Sequence, residues 1–119
     1  MQTVVEMPSF QKSAAQAGMS DMEVVQLVDY LAANPDSGDE IKGTGGCRKL
    51  RVAGRGKGKS GGYRVITFFS GTAIPVFLLH AYSKADQADL DGEERSHLKK
   101  LTKILVEGYR AKKPLRSVR

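Results

Sequence analysis

Residues 43 to 69 read GTGGCRKLRVAGRGKGKSGGYRVITFF, and the fold turns on how this stretch is read. Residues 47 to 53 alternate, with Leu50 and Val52 on one face and Lys49 and Arg51 on the other. That period predicts a half-buried strand with cations on its open side. Residues 54 to 62 are a loop of glycine and lysine, and Tyr63 to Phe69, β-branched and aromatic, predicts a second strand. Arg48, Lys49, Arg51, Arg55, Lys57, Lys59 and Arg64 fall in this span with no Asp or Glu among them. Such a surface attracts phosphate.

Moving outward, Ser70-Gly71-Thr72 predicts a short turn into a third strand of the meander over Ala73 to Tyr82. Strict alternation puts Ile74, Val76, Leu78, His80 and Tyr82 on one face, and Phe77, Leu79 and Ala81 on the other. With both faces mostly apolar, this is expected to be a central strand covered on each side. A turn or short helix is expected over Asp86 to Leu90. Asp91 to Glu94 reads as a capping box, with Asp91 as N-cap. Leu98, Leu101, Ile104 and Leu105 then predict a closing helix to about Tyr109, carrying Lys99, Lys100 and Lys103 on its opposite side. The basic segment 111–119, with Pro114, is expected to be a flexible tail after a single domain over 1–110.

Upstream, Thr3 to Glu6 is compatible with a short strand, and Pro8 suits the first turn of a helix that Gly18 stops. Ser20 and Glu23 form a capping box, and Val24, Leu27, Val28 and Leu31 give the next helix one apolar face. Asn34-Pro35 ends it, and residues 35 to 46 read as a loop.

The 119 residues suffice for one core without staples. A single cysteine, Cys47, excludes an internal disulfide framework, and two distant histidines give no metal-ligand spacing. No metal or other cofactor is therefore expected. The longest apolar run is too short to span a bilayer, and the first residues lack a signal-peptide pattern; a cytoplasmic protein with no membrane partner is expected. The net charge is +6, yet the first 41 residues hold seven acids against Lys12. The positive charge is thus gathered in the middle and at the C-terminal end.

Two look-alikes compete for the loop. A P-loop, GxxxxGK[ST], would need glycine where this chain has Ala53, and would open a helix rather than the strand GGYRVITFF. A solvated hairpin tip accounts for the glycines. It does not account for cations continuing along the flanking strands at Lys49, Arg51 and Arg64.

The run from Gly43 to Phe69, followed by FLLHAYSKADQADLDGEE, closely resembles the RelE/HigB-type toxins of bacterial type II toxin–antitoxin pairs. The resemblance covers nearly the whole chain. Its most specific parts are the glycine-flanked RKLR, the GKGKSGGYR block and the aliphatic–Tyr–Ser–Lys segment. It implies an α+β fold of RelE-like (microbial RNase-like) type: a small antiparallel β-sheet meander with two N-terminal helices and a C-terminal helix. It also implies an mRNA interferase, an endoribonuclease that cleaves messenger in the ribosomal A site without a metal and so inhibits translation. The implied partners are a cognate antitoxin and the ribosome with its mRNA.

On that resemblance, Arg64 matches the family's arginine in the SGYR motif, and its planar fork is suited to two phosphate oxygens. Lys57 and Lys59 match the basic loop before that motif; either becomes a base if neighbouring cations lower its pKa. Lys84 matches the basic residue ending the third strand, and Tyr82 is a candidate to stack on a base or orient a proton, or else a core aromatic that closes the sheet. A tyrosine that some members carry in or near the closing helix has no counterpart in ADQADLDGEE. Arg48, Lys49, Arg51 and Arg55, with Lys99, Lys100 and Lys103, are expected to grip RNA electrostatically. Strand parity assigns His80 to the core, while His97 reads as solvated and Cys47 as structural. The competing expectations are a ParE-type toxin that poisons gyrase by protein contact on the same fold, and a non-catalytic basic nucleic-acid-binding module.

Overall fold

The structure, a computed structural model, describes residues 1–54, 62–84 and 90–118. Arg55, Lys57 and Lys59, and most of the turn expected over 86–90, lie outside the described residues. The described elements run β1 (Val4–Glu6), α1 (Pro8–Ala17), α2 (Asp21–Ala33), β2 (Asp39–Glu40), β3 (Cys47–Val52), β4 (Tyr63–Phe68), β5 (Val76–Ser83) and α3 (Gly92–Val118). The strands form one sheet in the order β1-β5-β4-β3-β2. The fold is α+β, as the resemblance implies. The expected meander β3–β4–β5 is antiparallel, and β1 joins it parallel to β5, making the sheet mixed.

Local chemistry accounts for the helices. Pro8 sits in the first turn of α1, and Gly18 caps its end at φ 90°, donating its N–H to the carbonyls of Ala14 and Ala15. Only glycine occupies that left-handed conformation without cost. Two residues later the Ser20 box forms in full: the Glu23 N–H donates to Ser20 Oγ at 3.1 Å, and the Ser20 N–H donates to Glu23 Oε1 at 2.8 Å. Asp91 and Glu94 make the same reciprocal pair at the start of α3.

The sheet separates two apolar layers. On one face α1 and α2 bury Phe10, Ala14, Leu27 and Leu31 against Tyr63, Val65, Val76, Leu78 and Ala81. On the other, Leu98, Leu101, Leu105 and Tyr109 of α3 pack on Ile66, Phe68, Phe77 and Leu79. Phe68 stacks on Phe77 with centroids 6.4 Å apart, and Tyr109 meets Phe77 edge-on at 5.8 Å.

Four elements differ from the expectation. The 35–46 loop contains β2, whose Asp39 and Glu40 lie opposite Lys49 and Arg48. Two residues carry no periodicity; the pairing follows from opposed charges across the strands. The third strand starts at Val76 rather than Ala73, because residues 72–74 close a turn in which the Ile74 N–H donates to the Gly71 carbonyl. The helix α3 continues past Tyr109 to Val118, through Pro114, in a segment rich in the helix formers Ala, Lys, Leu and Arg.

The fourth difference bears most on the site. Between Ile66↔His80 and Thr67↔Leu78 the β4–β5 register shifts, leaving Leu79 as an extra residue. This β-bulge reverses the side-chain parity of β5. Val76 and Leu78 face α1 and α2, but beyond the bulge Ala81 takes that face and Tyr82 turns to the α3 side. His80 therefore does not join Ile74, Val76 and Leu78 in the core, as uninterrupted alternation predicts.

Candidate nucleic-acid interface

The pairing registers place the functional candidates in rows across β3, β4 and β5 on the α3 side. Cys47, Phe68 and Phe77 form the first row, under α3. Lys49, Ile66 and His80 form the second, and Arg51, Arg64 and Tyr82 the third. Successive rows are about 6.8 Å apart along a strand, and directly opposed residues have Cβ atoms about 5 Å apart. The face thus grades from an apolar, helix-covered end to a cationic end.

The third row holds the candidate phosphate-binding cations. Arg51 is exposed and Arg64 half-buried, and they stand directly opposite each other. Like charges so placed oppose folding, and among the described residues no carboxylate shares their row. Asp39 stands opposite Lys49 one row away. Two arginines directly opposed on neighbouring strands are close enough to donate to one anion; Arg51 also borders a pocket shared with Glu23, Gln26 and Tyr30 of α2. Tyr82, 6% exposed, packs in the core on the α3 side, and its ring lies 6.0 Å from that of His80.

The loop's closing end is fixed by the sheet. Gly62 adopts φ +110°, and a Cβ there would lie 2.8 Å from the Val52 carbonyl oxygen. Only glycine permits this approach of two backbones. The Lys84 N–H donates to the Gly62 carbonyl at 3.2 Å, so Lys84 leaves β5 beside the point where the 55–61 loop rejoins β4. Its side chain is exposed.

Of the expected site residues, Arg64, Tyr82, Arg51 and Lys49 are therefore brought onto one face, with Lys84 at its end. Arg48 is not among them. It lies on the Leu50 side of β3, where its guanidinium donates to the Gly38 carbonyl at 3.0 Å. Lys57, Lys59 and Arg55 lie outside the described residues. Lys99, Lys100 and Lys103 lie on α3 and are exposed, while Leu98, Leu101 and Leu105 of the same helix pack on the apolar rows.

Two further residues near this face stand out in the structure. His80 borders a cleft of about 310 Å³ between the sheet and the first turns of α3, together with Ile66, Leu79, Glu93, His97 and Leu98. Burial holds its imidazole below the usual range, and the Glu94 carboxylate partly offsets this. Arg95, on the first turn of α3, has a buried Nε with no hydrogen-bond partner among the described residues. No local pattern distinguishes Arg95 from a solvated helix cation.

Beneath the site, Tyr63 ties β4 to the helices. Its hydroxyl donates to the Gly18 carbonyl at 3.1 Å and lies 3.2 Å from Glu23 Oε1. Burial and the adjacent Glu23 charge raise its pKa. Cys47 is fully buried, and burial pushes its thiol up to about 11, against a smaller opposing effect from Thr44. It is a packing residue rather than a nucleophile.

Among the described residues no three His, Cys, Asp or Glu side chains converge as a metal site requires, and no helix is long and apolar enough to cross a membrane. Compared with known families, residues 2–115 match the one described as "RelE toxin of RelE / RelB toxin-antitoxin system".

Proposed function

The chain belongs to the RelE toxin family of toxin–antitoxin systems, and from that premise we propose that it is a cytoplasmic, ribosome-dependent mRNA endoribonuclease. The family implies an antitoxin partner, and its toxins are generally mRNA endoribonucleases. The single observation that supports the finer reading best is the Arg51–Arg64–Tyr82 row. Paired cations without a carboxylate in their row, at the mouth of a lysine loop, match an RNA phosphate in a transition state that gains charge.

In this reading a ribose 2′-hydroxyl attacks its adjacent phosphate, the 5′-oxygen leaves, and a cyclic phosphate remains. Arg64 holds two phosphate oxygens, and Arg51 anchors the flanking phosphate. A loop lysine, Lys57 or Lys59, takes the 2′-hydroxyl proton, and Lys84 at the strand's end neutralises or protonates the leaving oxygen. Tyr82, with its ring buried, orients a proton rather than stacking on a base. Lys49 and Arg55 add to the electrostatic grip on RNA.

The test is to map RNA ends from a translated messenger in a purified translation system, with ribosomes present and again with ribosomes omitted. Cuts only on ribosomes, in register with codons, are the expected result. Cuts without ribosomes would leave a free ribonuclease. No cuts from protein that still arrests growth would move the function to gyrase.

A further inference from the structure

The cleft beside the arginine row is separate from the phosphate-holding groups and has a different character. Its floor is Ile66, Leu79 and Leu98, His80 and His97 border it, and Glu93 adds a carboxylate at the rim. The bulge at Ile66/Thr67 brings His80 to this side, opposite Ile66 and one row from Arg64 and Tyr82. A phosphate is repelled by the Glu93 and Glu94 carboxylates, and the Ser9 hydroxyl in the lining is already donated to the Leu79 carbonyl. A planar heterocycle is suited to both: imidazole is a stacking surface for bases, and a carboxylate accepts from exocyclic amines. The step of about 6.8 Å between rows separates cations from cleft on the scale of one nucleotide.

We propose that the cleft between β5 and α3 is a nucleobase subsite: a base beside the phosphate held by Arg51 and Arg64 enters it, stacks on His80 and gives its exocyclic amine to Glu93. This rests on the nuclease reading above. Adenine, cytosine and guanine carry such an amine. Uracil has no exocyclic amine; its one edge donor, N3–H, is flanked by two carbonyl oxygens that the carboxylate repels, so it is disfavoured. Glu94 lines the cleft as well and its charge acts on His80, but its Oε1 is engaged in the capping box, accepting the Asp91 N–H at 2.9 Å, so Glu93 is the carboxylate assigned to the base.

The experiment uses the full chain in the purified translation system, with messengers that present each of the four bases at every position around the cut. The parent is expected to disfavour uracil about tenfold at one position beside the cut. Glu93→Gln, an exposed position, supplies a donor to uracil's carbonyls and is expected to bring that ratio close to one while cutting continues. His80→Ala is expected to slow cutting for all bases at that position. Leu98→Trp fills the cleft and is expected to erase the preference; thermal melting of each variant confirms folding. Unchanged base preference in Glu93→Gln and Leu98→Trp, with an active parent, overturns the subsite and leaves the nuclease reading intact. If the variants alter only affinity for the antitoxin, the cleft is a protein-docking site and the proposal is likewise overturned. A parent that makes no cuts removes the nuclease reading and the subsite together.

Discussion

Arg51 and Arg64 stand opposed on adjacent strands, where unlike or apolar pairs would favour the sheet. An arrangement that opposes folding, with no compensating acid in its row among the described residues, is what a ligand-binding position would show. Replacing Arg51 by threonine, a good strand former, is therefore expected to stabilise the fold by about 0.5 kcal/mol while weakening the hold on RNA. Urea denaturation and RNA binding measured side by side decide this. A variant less stable than the parent would show that Arg51 has a structural role.

His80 supplies a second test at the same scale. Its folded pKa lies below the ordinary value of about 6.5, so the unfolded chain binds more protons across that window. Stability then falls as the pH drops through about 6.5. Glu93, Glu94 and His97 also line the cleft, and only a comparison with His80→Gln isolates the His80 share. Between about pH 7.5 and about pH 5.5 the urea midpoint is expected to fall less in that variant than in the parent. An equal fall would show that burial of His80 has no proton linkage.

At the scale of elements, the corner between α1 and α2 is what aligns β4. Gly18 ends one helix, Ser20 starts the next, and Glu23 holds both the Ser20 N–H and the neighbourhood of the Tyr63 hydroxyl. Tyr63→Phe leaves the Gly18 carbonyl without its side-chain donor and is expected to cost about 1–2 kcal/mol, read as a lower urea midpoint at unchanged slope. No loss would mean that water replaces the hydroxyl. Elements of this kind are legible in sequence because each rests on a short local code. Both capping boxes, Gly18 and the alternation of Leu50 and Val52 identify their elements before any packing is considered. The strand β2 is not legible, since two residues have no period and their partners lie eight and ten positions away. The bulge in β5 is hidden for a different reason. In VFLLHAY both faces are apolar, so a one-residue slip leaves the hydrophobic pattern unchanged. That is why alternation alone places His80 with Val76 and Leu78, on the face opposite the one it occupies.

At the scale of the whole molecule, charge is divided by the sheet and by the chain. The helical hairpin up to residue 41 is acidic, while the cations gather on β3, β4, their loop and α3. That much is legible from order along the chain. The convergence of Arg51, Arg64 and Tyr82 in one row is not, because it depends on two inter-strand registers that no single segment encodes. The same registers make Arg64 the centre of the row, with a neighbour on each side. The most direct test is the single-turnover rate of messenger cleavage on programmed ribosomes, comparing parent and Arg64→Ala at equal concentrations of folded protein. A loss of about a hundredfold or more is expected if Arg64 stabilises the transition state. An unchanged rate would contradict the assignment of this row as the place where RNA is cut.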